Sequence, residues 1–277
     1  MAEDALEFSD LAREELLELG DANLAEFIRH TARASSGGET VEEDGLLLVA
    51  GSHPNPGPYR NLAIRTRNEL SADEAMRRAD EFFRSRSRGY VFWIRTHADE
   101  DLGTLARQRG LTPLELEGLA QLFQGGCPPP VDPQPGVILR WADDDQTRRD
   151  FLQVNAEAWG LGDAPMELTS SVLFEPSSLD SANVAAAIAY IDGAPAGTCM
   201  AIVYPDFVVG GYWGATAHWA RRRGLHDLTT RAIFNAGFDL GARLAFCQSS
   251  PLAANNLERM GFAQITRYER YRVPYVP

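Results

Sequence analysis

The sequence contains no lysine, and all 26 of its basic residues are arginine, which we interpret as the coding bias of a GC-rich genome. Acidic residues number 39, so the formal net charge is -13. A chain with this balance lacks the basic surface that nucleic-acid binding requires. Nucleic acid is therefore excluded as an expected partner, whereas long-range steering would favour a cationic substrate such as an amine.

Cysteine is scarce, and long apolar runs are missing. Cys127, Cys199 and Cys247 are an odd number at wide spacing, which fits neither a disulfide framework nor a zinc site. We therefore expect no metal, and we expect Cys199 and Cys247 to be buried small side chains in apolar strands. No apolar run approaches the roughly 20 residues of a membrane helix, and the acidic start does not resemble a signal peptide. We expect a cytoplasmic protein with no membrane partner.

The most informative segment is a predicted strand and a predicted helix joined by an arginine-rich junction. Phe207 to Thr216 is apolar and aromatic with glycines, which indicates a buried strand, and Leu225 to Leu240 has apolar residues at helical spacing. The junction reads Arg221-Arg222-Arg223-Gly224-Leu225-His226. The first amides of a helix have no partner within the helix, and together with the helix dipole they attract anions. Glycine lets an anion approach the backbone closely. The junction therefore predicts a seat for a phosphate or pyrophosphate.

Two motifs in this half of the chain resemble the GNAT superfamily of acetyl-CoA-dependent N-acetyltransferases. Arg221-x-x-Gly224-x-His226 resembles the family's pyrophosphate loop, Gln/Arg-x-x-Gly-x-Gly/Ala, with His226 where a small residue is usual. The segment from Gln248 to Phe262 resembles the family's Gln-Ala-Ser-Pro run followed by Tyr-Glu-Arg-Leu-Gly-Phe. The motifs occur in the family's order, and the detailed resemblance covers roughly the last half of the chain.

The resemblance implies an acetyl-CoA site on this strand, junction and helix. The pantetheine amides would pair with the backbone near Ala215 to His218, between strands that splay apart in the family. The pyrophosphate would lie on the amides of Arg222 to Asp227. An amine would attack the thioester directly, and a backbone N–H on the central strand would hold the oxyanion. The cofactor-binding residues implied are Ala215, Thr216, Ala217, His218, Arg221, Arg222, Arg223, Gly224, Leu225, His226, Asp227 and Ser250.

The catalytic residues stay unassigned. Leu257 stands where many family members have the tyrosine that protonates the leaving thiolate, and leucine cannot donate a proton. The candidates for acid–base roles are Tyr212, His218, His226 and Glu157, with Tyr204 as a further proton donor and Glu167 and Asp206 as further bases. Ordinary structural roles stay open for several residues: core packing for Tyr212, Trp213 and Trp219, surface or positioning roles for His218 and His226, and helix capping for Ser250.

Apolar periodicity and turn residues predict the other elements. One or two helices are predicted over residues 3–33, and further helices over residues 71–87, 102–109, 145–159, 166–173 and 251–260, with Ser71 and Glu74 as a capping box. Strands are predicted over residues 46–50, 59–67, 90–94, 137–141, 184–191, 196–203, 243–248 and 263–271, and the last one is expected to close the sheet. Asp192-Gly193 predicts a hairpin turn, residues 52–58 a turn-rich break, and residues 111–123 extended chain.

The order of elements repeats along the chain. Arg107 to Leu111 resembles Glu258 to Phe262, and each half contains a strand, a helix, a strand, a short helix, a glycine and a strand. We therefore predict an α/β fold of two GNAT-like lobes, each a mostly antiparallel twisted sheet flanked by helices. Residues 1–124 would form a degenerate lobe, residues 125–136 a Pro/Gly-rich linker, and residues 137–277 the acetyltransferase domain. The first lobe's junction, Arg67 to Ser71, has no glycine and is not expected to bind a pyrophosphate.

Three functions remain open at this point. The first is acetyl-CoA-dependent N-acetylation of a small amine or a peptide amino group. The second is a non-catalytic CoA-binding protein of the same fold, for which Leu257 and His226 are the evidence. The third is a structural protein whose lobes both lost the cofactor, which the retained arginines and Gly224 disfavour. Whether the chain forms a homodimer is left open.

Overall fold

The computed structural model describes residues 11–54, 59–114 and 119–276. Its helices are α1 (Arg13–Arg33), α2 (Ala72–Arg84), α3 (Glu100–Gln108), α4 (Asp145–Ala158), α5 (Met166–Val172), α6 (Leu225–Asp239) and α7 (Pro251–Arg259). Its strands are β1 (Glu39–Glu43), β2 (Leu46–Ala50), β3 (Leu62–Arg65), β4 (Tyr90–Arg95), β5 (Thr112–Pro113), β6 (Leu119–Gly125), β7 (Val137–Trp141), β8 (Val184–Ile191), β9 (Ala194–Val203), β10 (Val208–Thr216), β11 (Leu244–Ser249) and β12 (Ala263–Val273). Three predicted segments lie partly outside the described residues: the one or two helices over 3–33, the break over 52–58 and the extended chain over 111–123. The described part of the first segment is the single helix α1.

The strands form one continuous mixed sheet. Its order is β1-β2-β3-β4-β12-β6-β11-β10-β9-β8-β7, and β5 pairs with β12. The pairs β3–β4 and β10–β11 are parallel, and the other pairs in the described residues are antiparallel. This architecture confirms the predicted α/β class with a mostly antiparallel sheet flanked by helices.

Strands from the two halves of the chain alternate at the middle of the sheet. β6, which precedes the Pro/Gly-rich segment, lies between β11 and β12. β12 pairs with β4 on one side and with β6 on the other. The expectation that residues 263–271 close the sheet is wrong, because this strand lies inside the sheet, and local periodicity carries no information on which strand becomes its neighbour. The domain boundaries at residues 124 and 137 stay a prediction.

The order of elements repeats in three dimensions as the sequence predicts. The first half contains the succession β3, α2, β4 and α3, and the second half contains the matching succession β10, α6, β11 and α7. In each succession the two strands pair in parallel. Gly110 follows α3 with φ of 68°, and Gly261 follows α7 with φ of 91°. Both glycines end their helices in the left-handed conformation, which fits the similarity noted around them.

Helices cover both faces of the sheet. Phe27 of α1 and Phe151 of α4 belong to one apolar cluster, which contains alternate residues of β2 and several residues of β10. On the other face, Phe83 of α2 packs against the first strands, and Phe234 of α6 packs beside Leu257 of α7. Cys199 and Cys247 are buried in this second layer, as predicted.

Two strands differ from the prediction. β1, Glu39–Glu43, is exposed throughout and has no apolar alternation that would mark it as a strand, and it forms because β2 offers an edge in register. The strand predicted over residues 59–67 is limited to Leu62–Arg65. Tyr59 and Arg60 precede it and direct their side chains to distant partners, Gln248 and the carbonyl of Leu173.

A buried ion cluster lies where the parallel pair β3–β4 ends. The last pair is Ile64 with Trp93. Directly beyond it, Arg65 Nε donates to Asp99 Oδ1 at 2.8 Å, and Arg95 Nε donates to Asp99 Oδ2 at 2.9 Å. Asp99 is fully buried, so two guanidinium groups share one carboxylate away from water. Removing Asp99 would leave each buried guanidinium group with one carboxylate partner fewer, at a cost in stability.

Candidate functional site

The corresponding parallel pair in the second half, β10–β11, encloses an opening. Its pairing ends at Gly211 with Cys247, although β10 continues to Thr216 and β11 to Ser249. On its other edge, β10 has a bulge against β9 between Tyr212 and Ala215. The strands therefore run on beyond their last shared pair without pairing to each other.

The bulge decides which side chains face each side of the opening. Trp213 has a φ of 51°, in the left-handed region, so Tyr212 and Trp213 both point toward α1. The ring of Tyr212 stacks on Phe27 with centroids 3.8 Å apart. Gly214 points to the opposite face, where a Cβ would lie 3.2 Å from His226 Nε2. One irregular residue thus supplies two consecutive aromatic side chains to the α1 face.

On the α1 face, Tyr59 from the first half of the chain connects β10 with β11. Its hydroxyl donates to Gln248 Oε1 at 2.8 Å, and its ring lies edge-on to Trp213 with centroids 5.2 Å apart. Phe174 also packs against Trp213, with ring centroids 4.7 Å apart. Burial raises the pKa of Tyr59 well above its usual value. The sequence does not indicate a functional role for Tyr59, because its local pattern predicts only a strand and carries no sign of the contact with Gln248.

On the opposite face, His226 of α6 meets Asn256 of α7. The imidazole Nδ1 lies 2.8 Å from Asn256 Nδ2. The other nitrogen, Nε2, faces the backbone of Gly214. Burial lowers the pKa of His226. The position at which the loop pattern usually has a small residue is therefore filled by a side chain that bridges two helices beside the opening.

The arginine-rich junction lies at the start of α6, as predicted. Gly224 is the N-cap residue with φ of 73°, a conformation that glycine adopts without strain. Arg221, Arg222 and Arg223 are exposed, and none of the three has an ion-pair partner among the described residues. A Cβ at Gly224 would lie 3.6 Å from Gln134 Nε2, so the Pro/Gly-rich segment runs past the junction.

The first turn of α6 also carries an acid. Asp227 accepts from Arg231 Nε at 3.0 Å, and Arg231 donates in turn to the carbonyl of Pro129 at 2.8 Å. Asn235 Nδ2 donates to the carbonyl of Pro128 at 2.9 Å. The segment before β7 is thus held along α6, and the carboxylate of Asp227 has a cationic partner of its own.

The backbone at the end of β10 is already partly hydrogen-bonded. Ala217 N donates to the carbonyl of Ala196 at 2.9 Å, and His218 N donates to Glu157 Oε1 at 2.6 Å. Ala215 and Thr216 are paired with β9. Two of the amides predicted to bind pantetheine therefore have protein partners, and Glu157 of α4 is placed at the end of β10.

The structure separates the other candidate residues. Tyr212 is buried and its hydroxyl donates to Asn23 Oδ1 at 2.7 Å, which argues against a proton-transfer role. Asp206 and Tyr204 lie before β10, at the end opposite the opening, which argues against them as well. Leu257 is fully buried in the core. The remaining candidates are mostly surface residues: His218, Trp219 and Glu167 are exposed, and Ser250 is the N-cap residue of α7 but makes no side-chain cap.

Comparison with known proteins identifies the fold. No protein-family model matches the sequence, and no curated protein matches it. A GCN5-related N-acetyltransferase from Kribbella flavida matches over 93% of this chain and 95% of its own, at 18% identity and a TM-score of 0.67. A tandem GNAT protein from the clavulanic acid biosynthesis pathway matches over 96% and 98%, at 16% identity and a TM-score of 0.59. The chain has a tandem GNAT fold.

A third structure agrees with this result. A GCN5-related N-acetyltransferase from Sphaerobacter thermophilus matches over 96% of this chain and 95% of its own, at 15% identity and a TM-score of 0.58. At such identities the likeness concerns the fold. The resemblance to GNAT proteins that the two motifs indicate is thereby confirmed at the level of architecture over nearly the whole chain.

In the second half of the chain, the two ends of the opening differ: positive charge lies at one end, and a contact between side chains lies at the other. Three exposed guanidinium groups and the free amides at the start of α6 suit a diphosphate. Beyond them, the contact between His226 and Asn256 crosses the α6–α7 side of the opening. In the described ranges, no helix is long and apolar enough to cross a membrane, and no group of acidic, histidine or cysteine side chains is arranged to hold a metal ion.

Proposed function

We propose that this chain is an acetyl-CoA-dependent N-acetyltransferase whose cofactor site lies in the second half of the tandem fold. One observation carries the proposal: β10 and β11 pair in parallel, stop pairing at Gly211 and Cys247, and leave an opening beside the start of α6. Three exposed arginines without ion-pair partners in the described residues lie at that helix start. Although the protein as a whole is acidic, the start of α6 is positively charged, and a helix start is where an anion would bind.

The residues at the junction would hold the diphosphate of the cofactor. Arg221, Arg222 and Arg223 supply charge-assisted hydrogen bonds, and the amides after Gly224 supply the helix-start donors. Acetyl-CoA, when bound, supplies an acetyl group activated as a thioester. Its acceptor would be a small amine or a peptide amino group, which the net charge of -13 would attract through long-range steering.

The α1 face of the opening is the proposed acceptor side. Tyr59 and Trp213, one from each half of the chain, pack together on this face, and the fully buried ring of Phe174 packs against Trp213. An ammonium acceptor must lose a proton before it attacks. Glu157 is the carboxylate placed at the end of β10 by its bond to the His218 amide, so we assign it the role of proton acceptor.

A non-catalytic CoA-binding protein is the second candidate. Leu257 is buried where a proton-donating tyrosine would stand, and the Tyr212 hydroxyl is occupied by Asn23. Neither residue can protonate a leaving thiolate. Because general acid–base help contributes about 10²–10⁴ in rate, a protein without it would turn over slowly or not at all. Release of CoA thiol during an amine screen separates the two candidates.

A charge reversal at the junction tests cofactor binding. We expect Arg223→Glu to abolish CoA binding measured by calorimetry at moderate salt, because it places an anion at the helix start. Arg243→Glu is the matched control: Arg243 is exposed and precedes β11, at the far end from the opening. The control should bind CoA as the wild type does.

Each outcome is informative. If Arg223→Glu retained wild-type affinity, the assignment of the pyrophosphate to α6 would be wrong. If the wild type bound no CoA up to millimolar concentration, the enzyme proposal itself would fail while the fold remained. Circular dichroism of each variant checks that the fold is intact, which we expect because Arg223 is exposed.

A further inference from the structure

The two helices beside the opening are joined by one hydrogen bond between side chains. His226 lies in the first turn of α6, and Asn256 lies near the end of α7. Their contact, at 2.8 Å, lies on the α6–α7 face, and Gly214 is the part of β10 directly beneath it. His226 thus occupies the space between β10 and α7 on the side of the opening that carries the arginine-rich junction.

The direction of this hydrogen bond follows from a second contact. Asn256 Oδ1 accepts from Arg259 Nη2 at 2.9 Å, so the amide NH₂ group faces His226. An NH₂ group can only donate, so His226 Nδ1 is the acceptor and carries no proton. The imidazole is therefore neutral, with its hydrogen on Nε2. An imidazolium would set two donors against each other at this contact.

We propose that His226 and Asn256 form a latch that closes the α6–α7 side of the opening and sets the affinity of the protein for CoA. The inference rests on the proposed function, because the pantetheine arm of CoA would have to pass this contact in order to enter between β10 and β11. Entry of the pantetheine requires the imidazole to leave Gly214 and to give up its bond to Asn256. The latch therefore keeps the site closed until a ligand displaces it.

The latch predicts that removing a side chain improves binding. A ligand that binds only the open state has an affinity reduced by the fraction of molecules in that state. One net hydrogen bond between neutral groups changes an equilibrium by up to about 10-fold. A contact that served only to pack α6 against α7 would give the opposite result: its loss would lower stability and leave CoA binding unchanged.

The test uses the full chain and CoA itself. Calorimetric dissociation constants are compared for the wild type, His226→Ala, Asn256→Ala and the control Asn255→Ala, since Asn255 is the exposed neighbour on α7. We expect His226→Ala and Asn256→Ala to bind CoA about 10-fold more tightly than the wild type and the control do. His226→Gln, which retains an acceptor for Asn256, should restore part of the wild-type behaviour.

A second readout is independent of affinity. In nitrogen-15 spectra of the imidazole, His226 Nδ1 should show an unprotonated, hydrogen-bonded nitrogen without CoA, and it should lose that bond when CoA is added. Equal affinities for all variants would overturn the latch and leave the proposed function standing. If no variant bound CoA, both would be overturned. If His226→Ala failed to fold, Asn256→Ala would carry the comparison, since Asn256 is only half-buried.

Discussion

Single residues decide how the two faces of the opening differ. Trp213 adopts a positive φ, and this one irregularity turns an alternating strand into one with two consecutive aromatics on the α1 face. On the α6–α7 face, His226 stands where the pyrophosphate loop of GNAT proteins usually has a small residue, and its side chain contacts Asn256. The acceptor side and the cofactor side of the proposed site therefore each depend on a residue that departs from regular structure.

The protonation of His226 makes the latch sensitive to pH. Burial lowers its pKa below the usual 6.5, so the neutral form that accepts from Asn256 prevails at neutral pH. As pH falls through the lowered pKa, the imidazole gains a proton at Nδ1 and the bond is lost. We expect the CoA affinity of the wild type, measured by calorimetry, to rise as the pH falls below 6.5 and through this lowered pKa.

The control for this experiment is His226→Ala, in which titration of the CoA phosphates remains but the latch is absent. The titratable and charged groups around His226 are Asp227 on α6, Arg259 on α7 and the thiol of Cys199 beside Gly214, whose pKa burial raises to about 12. A wild-type affinity that followed the same pH curve as the variant would contradict the role given to the imidazole.

At the scale of elements, α6 is held against the sheet by close contact. A Cβ at Gly237 would lie 2.5 Å from Val209 Cγ2 and 2.9 Å from Val209 Cβ, so no larger residue fits without moving the helix or β10. The position of α6 on β10 brings its first turn, and with it the junction arginines, to the opening. The seat for an anion thus depends on packing at the other end of the helix.

This contact predicts a large effect of one substitution on stability. Gly237→Val should lower the free energy of unfolding in urea by about 3 kcal/mol, because it overpacks the helix against a central strand. Gly126→Val is the control: Gly126 is exposed, and a Cβ there meets nothing within 4 Å. A loss that was no larger at Gly237 than at Gly126 would show that α6 can shift away from β10 without cost.

At the scale of the whole molecule, the exchange of central strands ties the halves together. β12, from the end of the chain, is the neighbour of β4 from the first half, and β6 is the neighbour of β11 from the second. Asp21 of α1 adds side-chain contacts, accepting from the Tyr268 hydroxyl at 2.7 Å. Neither half has a complete sheet without the other, although the sequence suggests two lobes with a linker.

We therefore expect one cooperative unfolding transition. In hydrogen exchange across a urea series, the amides of β4 and β10 should lose protection at the same midpoint. Deleting residues 263–277 should remove protection from β4 as well as from the second half, because β4 loses its partner β12. Two separate midpoints, or a β4 that stays protected after the deletion, would mean that the halves fold independently.

The sequence by itself determined the elements and their order around the proposed site. Apolar spacing predicted α6 and the strands on either side of it, because such spacing depends only on local periodicity. The junction before α6 was recognisable from its residue types, three arginines and a glycine. The repeat of strand, helix, strand and short helix was visible for the same reason. The likeness of two motifs to GNAT proteins then indicated an architecture that the solved structures share.

Only the tertiary structure decided how distant segments meet. The place of β12 beside β4 and β6 depends on pairing between strands far apart in sequence, and every strand offers similar backbone groups to any neighbour. Tyr59 reaches Gln248, and His226 reaches Asn256, because the sheet and the two helices bring them together. Local patterns cannot specify such contacts, since their energies depend on which surfaces finally face each other.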